Sequence, residues 1–293
     1  MTSQDRALLS MEGLAVGDGF GEKFFGDPEE VLPLIARQVV PPSPWRYTDD
    51  TEMALSIVDV LKEHGSIDQD LLATRFAKRM DLTRGYGQGA YEVLKGVLAG
   101  RSWRALSRSG FGGIGSFGNG AAMRVAPLGA YFADARPANL IEQARLSAEI
   151  THAHPEGIAG AIAVAAAAAL AWQNREKSGP LGEEWLRAIR ATVPAGYTCE
   201  TLDEAISLSS KVSTIEAAKA LGNGAGITAP DTVPFCLWIA AKYSNDFAEA
   251  LWATVSALGD CDTNCAIVGG ILSLKVGLNG IPKQWREARE PFV

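Results

Sequence analysis

Two short acidic stretches decide how the chain is organised: YTDDT at residues 47–51 and GDCDTN at residues 259–264. Each holds two carboxylates and at least one threonine, and each runs directly into an apolar segment with helical spacing. One acid at a helix start is explained by capping of free backbone N–H groups and by the helix dipole. Two neighbouring acids are not, because their charges repel unless a cation lies between them. We therefore expect the two stretches to meet in the fold.

The site formed by such a meeting would contain only oxygen ligands, from the four carboxylates Asp49, Asp50, Asp260 and Asp262 and from two hydroxyl groups. This donor set suits Mg²⁺, Mn²⁺ or Ca²⁺. The four negative charges equal the positive charge of two divalent cations. The pattern thus favours a metal site over simple helix capping.

The composition excludes several classes of protein. The 293 residues are 47% hydrophobic, which is enough for a substantial core, and the net charge of −7 argues against a broad surface for nucleic acids or anionic membranes. Four cysteines at this length do not make a disulfide scaffold, and the first residues show no signal-peptide pattern. The longest apolar run, 158–172, is too short and too alanine-rich for a membrane span. We expect a soluble cytoplasmic protein with reduced thiols.

Helical spacing dominates the chain, and the alternating pattern of strands is almost absent. The first helical pattern ends in the glycine-rich run GDGFG at 17–21, and Asp49 with Glu52 three residues later fits a capping box. Further helices are predicted over 53–61, 71–80, 91–98, 156–172, 183–191, 202–209, 215–221, 232–243, 247–258 and 263–276. The alanine-rich helix 156–172 is narrow enough to be surrounded by others. The sequence predicts one all-α domain over 1–293, with a site made from distant loops.

Residues 110–120 form a glycine-rich loop in which GIGSFG, at 113–118, matches the dinucleotide fingerprint GxGxxG. No strand precedes this loop and no alternating strands and helices surround it, so we reject a Rossmann fold. Glycines still allow backbone N–H groups to approach a diphosphate closely. Phe111 and Phe117 flank the loop and are candidates for stacking a base, with core packing as the alternative.

Five segments taken together resemble the ADP-ribosyl-acceptor hydrolase, or ADP-ribosylglycohydrolase, family, which includes dinitrogenase reductase-activating glycohydrolase. They are GDGFG at 17–21, TDDT at 48–51, GSFGNGAAMR at 115–124, TH at 151–152 and GDCDT at 259–263. The resemblance implies an all-helical fold that holds two divalent cations, Mg²⁺ or Mn²⁺. It also implies hydrolysis of the bond between C1″ of ADP-ribose and an N- or O-linked acceptor atom. The partner would be an ADP-ribosylated protein or another ADP-ribosylated acceptor.

The positions within these segments imply roles for individual residues. The metal ligands would be Thr48, Asp49, Asp50, Asp260, Asp262 and Thr263. Among them, Asp49, Asp260 and Asp262 would be the catalytic carboxylates. ADP-ribose would contact Gly115, Ser116, Gly118 and Asn119 through its diphosphate, Phe111 and Phe117 through its adenine, and His152 through a phosphate or the neighbouring ribose.

One position departs from the family pattern. Many members follow the GDxxG turn with a glutamate that lies over the metals, whereas this chain has Phe25 there and Glu22 three residues earlier. This departure leaves a catalytically weak or inactive ADP-ribose-binding protein as the alternative to a hydrolase.

For several other residues the sequence allows two roles, or indicates a purely structural role. Asp18 either orients the metal ligands or caps a helix, and Arg124 either contacts the substrate or forms a buried salt bridge with a carboxylate. His64 and His154 are predicted to be structural. Cys261 is predicted to lie beside the metals, so we expect the protein to be sensitive to thiophilic ions.

Overall fold

The computed structural model describes residues 1–208 and 211–292, and within this part of the chain the regular elements are helices. The α-helices are α1 (Ser3–Gly21), α2 (Pro28–Ala36), α3 (Asp49–His64), α4 (Gln69–Arg79), α5 (Gln88–Leu98), α6 (Trp103–Gly113), α7 (Ala126–Tyr131), α8 (Pro137–Glu149), α9 (Pro155–Gln173), α10 (Gly182–Arg190), α11 (Tyr197–Ser207), α12 (Thr214–Leu221), α13 (Ala229–Lys242), α14 (Phe247–Ser256), α15 (Cys261–Val276) and α16 (Lys283–Ala288). Short 3₁₀ helices cover Glu22–Phe24, Leu82–Arg84, Asn119–Ala121 and Leu278–Gly280. The prediction of an all-α fold is confirmed. Ser209, the last residue of the helix predicted over 202–209, lies outside the described residues.

The first helix corrects the prediction that the glycine run at residues 17–21 ends the helical pattern, because α1 continues through it. Gly17 and Gly21 of this run lie one turn apart and face the backbone of α15, whereas Gly19 faces Trp45. A Cβ atom added to Gly17 would lie 2.0 Å from the carbonyl oxygen of Cys265, and one added to Gly21 would lie 2.2 Å from that of Cys261. These glycines therefore permit two helices to touch along their backbones.

Helix α9 lies at the centre of the fold, as the alanine-rich pattern predicts. It packs against α7, α8, α13 and α15, and nearly all of its alanines are buried. Among the described residues it is the one helix long and apolar enough to cross a membrane by length and composition, and 78% of that window is buried within the fold. Alanine side chains allow neighbouring helices to approach it on all sides.

The start of α3 differs from the predicted capping box. Thr48, not Asp49, is the N-cap residue. The Glu52 carboxylate instead accepts hydrogen bonds from the Asp81 N–H at 2.9 Å and from the Tyr86 hydroxyl at 2.7 Å. Glu52 therefore ties the loop that follows α4 to the first turns of α3.

The end of the chain holds the segment that leads into the first acidic stretch. We call residues 288–292 the C-terminal strap. The Trp45 N–H donates to the Ala288 carbonyl at 2.7 Å, and the Glu290 N–H donates to the Trp45 carbonyl at 2.9 Å. Arg84 donates to the Tyr47 carbonyl at 2.8 Å, lies over the Tyr47 ring and pairs with Glu290. The strap and Arg84 thus fix the backbone just before the acids of residues 49–50.

Candidate active site

The two acidic stretches lie against each other, at the starts of α3 and α15. The Thr263 hydroxyl donates to the Asp50 carboxylate at 3.3 Å, across 213 positions of sequence. Carboxyl oxygens of Asp18, Asp50 and Asp262 all lie within 4.8 Å of one another. The prediction that the stretches fold into contact is confirmed.

Asp18, on α1, holds the start of α3 and lies among the acids. Its carboxylate accepts hydrogen bonds from the N–H and hydroxyl groups of Thr48, each at 2.9 Å. It also accepts from the N–H of Thr51 at 3.1 Å and from its hydroxyl at 2.6 Å. Asp18 thus fixes the start of α3 and at the same time adds a carboxylate to the acidic group.

The electrostatics of this group follow from burial and from like charges held together. Burial is the largest cause that raises the pKa of Asp18 to about 6 and that of Asp49 to about 7. Burial and then repulsion from neighbouring aspartates raise the pKa of Asp50 and of Asp262 well above the usual range. All five aspartates of the site, including Asp260, are shifted in this direction.

The size of the repulsion between these carboxylates shows that their charge must be neutralised. Two full charges 4.8 Å apart repel by about 3 kcal/mol at an effective dielectric constant of about 20. Three such pairs cost about 10 kcal/mol, which approaches the whole free energy of unfolding of an ordinary domain. The group therefore either binds protons or shares a cation. With only oxygen donors and a large excess of negative charge, the residues fit a hard divalent cation.

A cleft of about 490 Å³ joins the acids to the glycine-rich loop. The predicted site residues that line it are Asp49, Phe111, Ser116, Phe117, Gly118, Asn119, His152, Asp260, Asp262 and Thr263. Thr48 and Asp50 are buried beneath it. Gly115 packs against the backbone of residues 153–154, where an added Cβ atom would lie 2.9 Å from the His154 nitrogen.

Asn119 connects the glycine-rich loop to the second acidic stretch. Its side-chain amide donates to the Asp260 carboxylate at 2.6 Å and to the Thr232 hydroxyl at 3.0 Å. Its backbone N–H donates to the Ile227 carbonyl at 3.2 Å. The loop and the acids therefore hold a fixed distance from each other.

The two loop phenylalanines are exposed rather than packed in the core. The Phe111 residue is 58% exposed and Phe117 is 36% exposed, and both border the cleft. Ile227, which the sequence did not single out, is 63% exposed and borders the same cleft. An aromatic ring left in water beside a cleft is available to a flat ligand group.

The buried Arg124 does not form the salt bridge that the sequence left open. Among the described residues no carboxylate lies within ion-pair distance of its guanidinium. Arg124 instead donates to the Ser147 carbonyl at 3.1 Å and to the Thr151 hydroxyl at 3.0 Å, and lies over the Phe76 ring. Burial and the charge of Arg124 lower the pKa of His152 to about 3. His152 is therefore neutral at physiological pH.

The predicted structural role of His154 is confirmed, whereas the C-cap of α3 is Gly65 rather than the predicted His64. His154 is the N-cap of α9 and accepts from the Glu156 N–H at 3.1 Å, and His64 is the last residue of α3. All four cysteines are free and buried. Cys261 lies between Asp260 and Asp262 in the chain, and burial and the neighbouring Asp262 raise the pKa of its thiol to about 12.

Phe25, at the family's glutamate position, has no carboxylate and cannot take the role of that glutamate. Phe25 is 50% exposed, directly after the 3₁₀ helix Glu22–Phe24. The charge of Glu22, by contrast, contributes to the raised pKa of Asp262, so Glu22 is the carboxylate of this turn that lies near the acids.

The fold and the site together define a class of protein: an all-α protein with a cluster of carboxylates, which could hold a cation, beside a glycine-rich loop and two exposed aromatic rings. The model of the ADP-ribosylglycohydrolase family matches residues 1–291. The chain therefore belongs to the ADP-ribosylglycohydrolase family.

Individual relatives agree with this assignment. Human ADP-ribosylhydrolase ARH3 is 30% identical over 280 residues, which cover 84% of this chain and 75% of the human protein. The ADP-ribosylarginine hydrolase Tri1 of Pseudomonas putida is 27% identical over 300 residues, which cover 97% of this chain and 74% of that protein. A solved structure described as an ADP-ribosylglycohydrolase-related protein complex superposes with a TM-score of 0.71 at 25% identity, covering 98% of this chain and 93% of that chain.

Proposed function

We propose that this protein is a divalent-metal-dependent hydrolase that cleaves the glycosidic bond between ADP-ribose and its acceptor and releases ADP-ribose. One observation carries the proposal: a single cleft joins a group of carboxylates that suits a cation to a glycine-rich loop flanked by exposed aromatic rings. The carboxylates with bound cations suit the distal ribose, the glycine-rich loop suits the diphosphate, and the aromatic rings suit the adenine. Membership of the ADP-ribosylglycohydrolase family supports the same reaction.

The proposed ligands of two cations, Mg²⁺ or Mn²⁺, are Thr48, Asp49, Asp50, Asp260, Asp262 and Thr263. Bound cations of this kind supply Lewis acidity, which polarises hydroxyl groups and lowers the pKa of water. Asp18 would hold Thr48 and the start of α3 in place through its four hydrogen bonds. Asp49 faces the cleft and is the proposed acceptor of the proton that water gives up.

The glycine-rich loop would bind and orient the rest of the substrate. Ser116, Gly118 and Asn119 border the cleft beside the acids, where their polar groups can meet diphosphate oxygens. Gly115 does not border the cleft, and would shape the loop through its left-handed backbone conformation at φ +78°. Phe111 and Phe117 would exclude water from the adenine.

The proposed acceptor is an N- or O-linked group of an ADP-ribosylated protein. ARH3 and Tri1 support this substrate class through their names, as an ADP-ribosylhydrolase and an ADP-ribosylarginine hydrolase. The proposed location is the cytoplasm, which the four free cysteines support.

A linkage screen tests the proposal. Purified protein with Mg²⁺ or Mn²⁺ should release ADP-ribose from at least one arginine, serine or nucleotide conjugate, and EDTA should stop the reaction. Asp49→Ala and Asp262→Ala should each abolish turnover while the helical circular dichroism stays unchanged. The control Asp203→Ala removes an aspartate paired with Arg190 on the surface and should keep full activity. Activity that survives in Asp262→Ala would refute the assignment.

The exposed Phe25 favours one alternative, an ADP-ribose-binding protein with weak or no catalysis. Calorimetry separates the two functions. A binder would hold ADP-ribose in the presence of cations but release none from any conjugate. If Glu22 takes the place of the missing glutamate, Glu22→Gln should lower turnover and leave the affinity for ADP-ribose nearly unchanged.

A further inference from the structure

A chain of hydrogen bonds runs from the buried Arg124 to the cleft. The Arg124 guanidinium donates to the Thr151 hydroxyl oxygen at 3.0 Å, and that oxygen lies 2.8 Å from Nδ1 of His152. All three residues are buried, with Arg124 0%, Thr151 2% and His152 5% exposed. The Thr151 hydroxyl therefore lies between a donor and a ring nitrogen, away from bulk water.

The direction of each bond follows from the protons that are available. A guanidinium has only donors, so Thr151 accepts from Arg124. The threonine hydroxyl has one proton to give, and among the described residues the acceptor in reach is Nδ1 of His152. If Nδ1 carried a proton instead, two donors would face the same oxygen and the threonine proton would have no partner in this buried place. The arrangement in which the Thr151 hydroxyl donates to His152 leaves Nδ1 unprotonated and puts the ring proton on Nε2.

The other ring nitrogen faces the glycine-rich loop. Cβ atoms added to Gly118 and Gly120 would each lie 3.2 Å from Nε2 of His152, and all three residues border the cleft. A proton on Nε2 is thus presented at the loop proposed to hold the diphosphate. Anionic oxygens are strong acceptors for such a donor.

We infer that Arg124 and Thr151 are positioning residues that fix the Nε2–H tautomer of His152, so that His152 donates a hydrogen bond to an anionic oxygen of the bound ligand. His152 is then a fixed donor and takes no part as a general base. Arg124 also borders the cleft, but the role inferred here for Arg124 and Thr151 acts through His152. The assignment of the ligand as ADP-ribose rests on the proposed function, whereas the tautomer itself does not.

Nitrogen-15 NMR of the imidazole rings tests the tautomer without any ligand or metal. The chain has three histidines, and loss of signals in His152→Gln assigns the pair of interest. In the wild type at neutral pH we expect a protonated Nε2 and an unprotonated Nδ1. Thr151→Ser retains the hydroxyl and should keep this pattern, whereas Thr151→Val should populate the Nδ1–H form. A wild-type His152 protonated on Nδ1, or a valine variant with the wild-type pattern, would overturn the inference.

Titration of ADP-ribose tests what the tautomer does. Thr151→Val should weaken binding about tenfold, because a donor to a charged group is lost in part of the population, while Thr151→Ser should stay within about threefold. Equal affinities of the wild type and the valine variant would remove the role in binding. A wild type that binds no ADP-ribose would instead refute the proposed function, and the NMR pattern would still decide the tautomer.

Discussion

Replacing Asp262 with asparagine should make the metal-free protein more stable, although it removes a residue that the proposed reaction needs. The Asp262 carboxyl lies within 4.8 Å of the carboxyl groups of Asp18 and Asp50. Its Oδ1 accepts from the Thr263 N–H at 2.7 Å, a bond that an amide oxygen also makes. The substitution Asp262→Asn therefore removes a charge and keeps the shape and the local hydrogen bond.

The size of the effect follows from the distances. Asp262 takes part in two of the three repulsive pairs, and each costs about 3 kcal/mol when both members are ionised. Bound protons already relieve part of this repulsion in the wild type, as the raised pKa of Asp50 and of Asp262 shows. We expect a net gain of about 1–3 kcal/mol, equivalent to a rise in Tm of about 2–5 °C for a chain of this length, because the entropy of unfolding grows with chain length.

Thermal unfolding in EDTA and in excess Mg²⁺ measures both sides of the prediction. The wild type should gain stability with Mg²⁺, because a ligand that binds only the folded state shifts the equilibrium towards it. Asp262→Asn should start higher in EDTA and gain much less. The matched control Glu176→Gln neutralises an exposed carboxylate outside the site and should follow the wild type in both buffers. A variant less stable than the wild type in EDTA, or one with the full Mg²⁺ response, would refute the electrostatic reasoning.

Three further predictions concern the dependence of stability on pH, the stacking of the adenine on Phe117, and the C-terminal strap. Because burial raises the pKa of Asp49 from 3.8 to about 7, the metal-free protein should lose stability as pH rises from about 4 to about 7. The pKa of His152 falls from 6.5 to about 3, so this residue makes stability rise with pH. It is a single group, whereas five aspartates have the opposite effect. Urea unfolding in EDTA measures this slope, and stability that rises with pH there would contradict it. Phe117→Ala should weaken ADP-ribose binding by about 1–3 kcal/mol in calorimetry while Phe117→Tyr binds normally, and unchanged affinity of the alanine variant would return Phe117 to a packing role. Arg84→Gln removes the link between the C-terminal strap and the first acidic stretch, so it should lower stability by about 1–3 kcal/mol and weaken Mn²⁺ binding, in contrast to the exposed Arg108→Gln. A variant with wild-type Mn²⁺ affinity would show that the strap does not position the ligands.

The convergence of the two acidic stretches could be predicted because it follows from a local conflict. Asp49 beside Asp50, and Asp260 two residues from Asp262, are costly in any fold that gives them no cation. The helical spacing around them needs no tertiary information, and the alanine content of residues 156–172 indicates a surrounded helix by volume alone. These features are encoded within a few turns of chain.

Other features depend on partners far away in sequence, so local pattern could not show them. Glu52 fits a capping box by spacing, but its carboxylate is taken by Asp81 and Tyr86, and Thr48 caps the helix. Arg124 suggests a salt bridge, but its guanidinium donates to a hydroxyl and a carbonyl instead. In both cases a local preference worth about 1 kcal/mol yields to tertiary contacts.

The glycine run at residues 17–21 shows how packing and chemistry depend on each other. Pattern reasoning treats glycine as a helix breaker, since each one costs about 1 kcal/mol relative to alanine in a helix. In the fold, Gly17 and Gly21 let α1 touch the backbone of α15, and Asp18 lies between them. Gly21 meets Cys261, the residue directly before Asp262, so backbone contact sets the separation of the Asp18 and Asp262 carboxylates. A side chain at Gly21 would push the helices apart and spread the charges. The proposed affinity of the site for cations should therefore depend on a residue that has no ligand atom of its own.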